Sequence, residues 1–147
     1  MMNYGFIRVA AAVPAIKVAN IRYNTEEICR LTSEAFDKKV SLVVFPELSL
    51  TGSTCGDLIG LGTMLDQAEK GVREIIEFSR GKSTAIVVGT PVRHTGGIYN
   101  CAAVIRNGEL KGLVPKTHIP SGSFTFASGC DLLSGTQISY AGQKCTI

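Results

Sequence analysis

Three things are missing from this sequence: long uninterrupted apolar runs, clustered basic residues and paired cysteines. Each absence removes a class of function. The most apolar N-terminal stretch, Phe6 to Ala19, is broken by Arg8, Pro14 and Lys17. It falls well short of the ~20 apolar residues of a membrane span, and no basic segment precedes it as in a secretory signal. The chain therefore reads as a soluble, cytoplasmic protein without a membrane partner. Lys and Arg are scattered, and the formal net charge is only +3. The Asp37-Lys38-Lys39 cluster suits the solvated end of a helix, so composition offers no case for a nucleic-acid partner. The five cysteines, Cys29, Cys55, Cys101, Cys130 and Cys145, are odd in number and irregularly spaced, with no CxxC pair. That pattern excludes a disulfide framework and a zinc site, and leaves reduced thiols as the expectation. His94 and His118 stand far apart with no cysteine cluster beside them, so no metal centre is expected.

No internal repeat and no linker divides the chain, and 147 residues with 45% hydrophobic content suit one domain with a real core. Taken in order, Ile7 to Val13 predicts a first strand closed by Pro14. Asn24 stands three places before Glu27, the spacing of a capping box, and predicts the start of a helix. Ile28, Leu31, Ala35 and Phe36 form its apolar stripe. Leu42 to Phe45 predicts a strand buried on both faces, stopped by Pro46. Leu65, Ala68, Val72, Ile75 and Ile76 mark a second amphipathic helix ending near Gly81. Ala85 to Gly89 predicts a third strand, interrupted at Thr90-Pro91. Ile98 to Arg106 and Glu109 to Val114 flank Asn107-Gly108, a strong hairpin signal because both central positions of a type I′ turn need positive φ. Beyond Ser121, Ser-Gly and Ala-Gly pairs punctuate short pieces, of which Gln137 to Tyr140 predicts a strand. Two strand-helix units feeding a hairpin describe an α/β layer architecture with a mixed sheet.

Two residues are candidates for chemistry. Glu47 follows an apolar strand and a proline, where a carboxylate is either a structural hydrogen-bond acceptor or a reactive group with a tuned pKa. Lys116 follows Val114-Pro115 at the end of another predicted strand. An acid and a base can meet at two such strand ends, and each can equally be a solvated loop residue. If they do meet, the lysine's charge lowers the pKa of Glu47 and burial opposes that shift.

Three blocks of the sequence resemble, in order and at plausible spacing, those of the carbon–nitrogen hydrolase (nitrilase) superfamily. They are Phe45-Pro46-Glu47-Leu48-Ser49-Leu50-Thr51-Gly52, then Ile98-Tyr99-Asn100-Cys101-Ala102 with Asn107-Gly108-Glu109-Leu110-Lys111-Gly112, and Pro115-Lys116-Thr117-His118-Ile119-Pro120. Within the superfamily, Thr54-Cys55-Gly56-Asp57-Leu58 and Arg8-Val9-Ala10-Ala11-Ala12-Val13-Pro14 are similar to the glutaminase domains of bacterial glutamine-dependent NAD+ synthetases. The resemblance runs from about Tyr4 to Pro120. It implies an α-β-β-α sandwich and a Glu-Lys-Cys triad hydrolysing the side-chain amide of glutamine. Glu47 matches the general base and Lys116 the lysine that stabilises the oxyanion. No cofactor is implied in this domain, since ATP and Mg belong to a separate synthetase domain that receives the ammonia. Glutamine as substrate, that synthetase domain and a homo-oligomer are the implied partners.

The family's nucleophilic cysteine lies several dozen residues beyond the lysine, after a buried strand and usually before an acidic residue. Cys130 has an acidic neighbour but no preceding strand, Cys145 precedes Thr146, and Cys55 belongs to the glutamate block. The nucleophile is therefore not identified, and all five thiols are expected to be inert. The expectation is a single partial domain over residues 1–147, incomplete at its C-terminus, without the synthetase domain and inactive by itself. Two departures from the family accompany this: Ser121-Gly122-Ser123-Phe124 stands where a Tyr- and Glu-containing loop would follow Pro120, and Ser53 stands where the synthetase pattern has Tyr. A non-catalytic oligomerising domain and part of a stand-alone amidase are the alternative readings.

Overall fold

A computed structural model describes residues 5–120 and 125–147. The loop replacement at 121–124 lies outside the described residues. Five strands form one mixed sheet in the order β1 (Val9–Ala11), β2 (Leu42–Val44), β3 (Ala85–His94), β4 (Gly97–Arg106) and β5 (Glu109–Pro115). The β1–β2 and β2–β3 pairs are parallel, and the β3–β4 and β4–β5 pairs antiparallel. Helices α1 (Ile21–Asp37) and α2 (Gly62–Phe78) supply the crossovers that parallel strands require. A second hairpin, β6 (Gln137–Tyr140) and β7 (Gln143–Thr146), forms a separate two-stranded sheet.

The core lies on one face of the sheet. Val43, Ile86, Val88, Ala103, Ile105 and Leu113 are buried there with Ile28 of α1 and Ala68, Val72, Ile75 and Ile76 of α2. The β6–β7 hairpin seals the same face beside α2: Tyr140 lies 3.3 Å, oxygen to oxygen, from the Thr90 hydroxyl, and the Ala141 N–H donates to Glu69 at 2.9 Å. The opposite face is open. Val44 is 40% exposed and Val114 60% exposed, so the expectation that β2 is buried on both faces is corrected to one face.

Several boundaries differ from those predicted, for identifiable reasons. Helix α1 begins a turn earlier, because Asn20 is the cap that accepts from the Tyr23 N–H. Asn24 is fully buried inside the helix, where its side chain bonds the backbone of Lys17 at both N–H and carbonyl and donates to the Leu50 carbonyl at 2.8 Å. It ties the strand-to-helix loop to the Glu47 loop. Strand β3 continues through Thr90-Pro91 to His94, with Pro91 opposite Asn100. Beyond Gly89 it is an edge strand, since β2 has ended at Val44, and a proline forfeits no ladder bond on that side. The Asn107-Gly108 turn is as predicted, with φ of 49° and 79°. Strand β7 was not anticipated, although Ala141-Gly142 (φ 52° and 80°) closes its hairpin in the same way.

Strand β5 carries a bulge. Val104 pairs with Gly112 and Ile105 with Leu110, so Lys111 is an extra residue. Alternation would otherwise send Leu110 and Leu113 to opposite faces, yet both are buried. The same shift reverses the alternation after Lys111, so Leu113 faces the core while Val114 and Lys116 face the open side.

Two predictions follow from this architecture. Asn24→Ala, which strands a buried carbonyl, should cost about 2–3 kcal/mol in urea unfolding, whereas Asn20→Ala should cost about 1 kcal/mol as the loss of a cap. Gly89→Ala should destabilise by about 2–3 kcal/mol, because a Cβ there would stand 2.6 Å from the Pro46 carbonyl oxygen. Gly60→Ala, with nothing within 4 Å of its Cβ position, is the control and should be near neutral.

Candidate active site

The Glu47 loop is held against β3 by backbone. Phe45 N–H donates to the Val87 carbonyl at 2.9 Å and Leu50 N–H to the Gly89 carbonyl at 3.2 Å, while the Ser49 hydroxyl accepts from Gly89 N–H at 3.3 Å. Gly89 has no side chain to keep the loop away. Leu48, directly after Glu47, has φ of 52°, a left-handed conformation that a leucine adopts only when its surroundings impose it. Gly52 N–H, donating to the Leu48 carbonyl at 2.7 Å, completes the tight turn. The consequence is that Glu47 is projected over the end of the sheet.

Lys116 reaches the same place from β5. Its N–H donates to the Asn100 carbonyl at 2.8 Å, and its carbonyl accepts from Gly129 N–H at 2.9 Å. Its Nζ donates to Glu47 Oε1 at 2.8 Å, joining residues 69 positions apart. Asn100, 6% exposed, donates from Nδ2 to the same oxygen. Glu47 and Lys116 were both expected at strand ends, and the fold brings them together. Asn100 was not singled out, although a carboxamide between Tyr99 and Cys101 in an otherwise apolar strand was a visible signal.

The carboxyl of Glu47 is held below the usual glutamate range, first by the hydrogen bond from Lys116, against the opposing effect of partial burial, then by Asn100 and the lysine's charge. The direction matches expectation, but the directed hydrogen bond outweighs the bare charge. A cavity of about 290 Å³ opens beside the pair, lined by Val44, Phe45, Val87, Asn100, Ala102 and Val114 among others. A larger hollow of about 580 Å³ lies around Lys82, Arg106 and Lys111. There Lys82 is committed to the Phe78 carbonyl at 2.7 Å and Lys111 to Glu109, so the smaller cavity is the one with converging chemistry.

Among the described residues, the hydrogen-bond partners of Glu47 are Lys116 and Asn100, and no thiol is one of them. Burial pushes Cys101 up to about 12 and Cys29 to about 11, and raises Cys145. Cys55 is buried with its thiol on the Thr51 carbonyl at 3.2 Å. Cys130 is exposed on a short 3₁₀ turn beside Lys116. Among the described residues no group of three or more His, Cys, Asp or Glu side chains could hold a metal ion, and no helix is long and apolar enough to cross a membrane.

Comparison with known proteins bears on the family and the fold. The glutamine-dependent NAD+ synthetase of Mycobacterium bovis is 33% identical over 119 residues, covering 81% of this chain. The chain spans only 18% of that protein's length. The solved glutamine-dependent NAD+ synthetase of Cytophaga hutchinsonii superposes over 95% of this chain and 24% of its own, with a TM-score of 0.86 at 24% identity. An amidase from Nesterenkonia sp. shares the fold over 95% of this chain and 54% of its own, with a TM-score of 0.70 at 18% identity. Residues 8–136 match the carbon-nitrogen hydrolase family, and with Glu47 and Lys116 set face to face on a nitrilase-type α/β sheet the chain belongs to that family.

Proposed function

We propose that this chain provides the glutamate and lysine of a glutamine amidohydrolase site, the ammonia-supplying part of a glutamine-dependent NAD+ synthetase. The observation that carries this reading is the 2.8 Å contact between Lys116 Nζ and Glu47 Oε1, at the rim of a cavity large enough for a small amide. The identity to glutamine-dependent NAD+ synthetases supports glutamine as that amide.

In this reading the ionised Glu47 carboxylate, held by Lys116 and Asn100, takes the proton of a cysteine thiol. The thiolate forms a C–S bond to the amide carbon, and the carbonyl electron pair moves onto oxygen. Lys116 stabilises that oxyanion. As the oxyanion collapses, the C–N bond breaks and Glu47 returns its proton to the departing ammonia. Water then hydrolyses the thioester. The chemistry uses no cofactor; ATP and Mg act in a synthetase domain that consumes the ammonia.

None of the chain's five cysteines is identified as the nucleophile in this scheme. Three have thiols raised by burial and Cys55 is hydrogen-bonded away from the site; Cys130 lacks the strand expected before a nucleophile. The open apolar face around Val44 and Val114 supports a second reading, a non-catalytic domain that associates through this surface. Part of a stand-alone amidase is a third, supported at the level of fold by the Nesterenkonia protein.

Ammonia release from glutamine tests the first reading. The chain alone should show no turnover above buffer, with or without Cys130→Ala or Cys145→Ala. Turnover abolished by either variant would identify the nucleophile within the chain. For the second reading, light scattering should show a dimer or larger species that persists on dilution, and a monomer at all concentrations would count against it.

A further inference from the structure

The two donors to Glu47 converge on one of its oxygens. Lys116 Nζ and Asn100 Nδ2 both donate to Oε1, and among the described residues Oε2 has no hydrogen-bond partner. Asn100 is also the residue whose carbonyl receives the Lys116 N–H at 2.8 Å. One strand residue thus grips the carboxylate through its side chain and the lysine through its main chain. A carboxylate only accepts hydrogen bonds, so the Asn100 amide must present its NH₂ group to Glu47. Burial adds a constraint, because at 6% exposure the amide has little water to turn to.

We propose that Asn100 is a positioning residue of this site, holding Glu47 by Oε1 so that Oε2 is the oxygen left to take up and return a proton. The proposal rests on the amidohydrolase reading for the meaning of that proton, but not for the geometry. Two donors on one oxygen fix the carboxylate's rotation about its last bond, which a lysine alone, on a flexible stem, does not. They also divide the labour of the carboxylate: one oxygen is anchored and the other is directed to the chemistry. Glu47 and Lys116 are the two charged side chains lining this cavity, so the titration of Glu47 is read there against a single cation.

The wild-type chain itself can be tested by following the Asn100 side-chain amide in nitrogen-15 NMR across the acid titration of Glu47. The amide resonances should shift with the same midpoint as the Glu47 carboxyl, since protonation removes the charge that the amide bonds. An Asn100 amide that stays unchanged while Glu47 titrates overturns the proposal. Asn100→Leu, which keeps the volume and removes the donor, should raise the Glu47 midpoint. An unchanged midpoint in that variant also overturns it. Neither measurement uses glutamine: turnover abolished by Cys130→Ala or Cys145→Ala would overturn the proposed account of the nucleophile and leave this assignment standing, and a silent amide would do the reverse.

Discussion

The chain between Phe45 and Leu50 crosses β3 so closely that a Cβ at Gly89 would stand 2.6 Å from one backbone atom of that segment and 2.8 Å from another. This approach sets the rest of the site. It lets Ser49 and Leu50 hydrogen-bond to Gly89, and it holds Leu48 at positive φ, a conformation the leucine would leave if the loop were freed. Because the loop is pinned, Glu47 projects from a rigid backbone, and the remaining geometry can be built to meet it.

Two further devices bring its partners. The bulge at Lys111 reverses the alternation of β5, so Lys116 emerges on the open face while Leu110 and Leu113 stay in the core. Asn100 sits on the neighbouring strand and receives the Lys116 N–H through its own carbonyl. The carboxylate, the ammonium and the amide therefore come from three elements whose relative positions are fixed by backbone hydrogen bonds. Such preorganisation is what a site needs if its donors are to act on developing charge without first reorganising. Buried Asn24 links the Leu50 end of the Glu47 loop to the loop before α1, extending the same support away from the sheet.

Much of this was legible in the sequence because it rests on local signals. The Asn107-Gly108 hairpin and the stripe of α2 depend on turn chemistry and periodicity, and both are found where predicted. Glu47 and Lys116 were legible because an apolar strand ending in a proline announces a strand end. What was not legible depends on tertiary context. Asn24 has the local spacing of a cap, but the Leu50 carbonyl needed a buried partner, and Asn20 took the capping role one turn earlier. Pro91 reads as a strand breaker until β2 is seen to have ended, which makes it an edge residue. The bulge left a trace in the three-residue spacing of Leu110 and Leu113, and Asn100 left one as a lone amide in an apolar strand. Neither trace says what it serves until Glu47 is placed opposite.

Whether Lys116 acts directly on Glu47 is read by titrating the Glu47 carboxyl with carbon-13 NMR in the wild-type chain and in Lys116→Met. The wild-type midpoint should lie below the usual glutamate value of about 4.3 and move upward in Lys116→Met as the principal donor is lost. A wild-type midpoint in the ordinary range, unchanged by the substitution, would contradict that direct action.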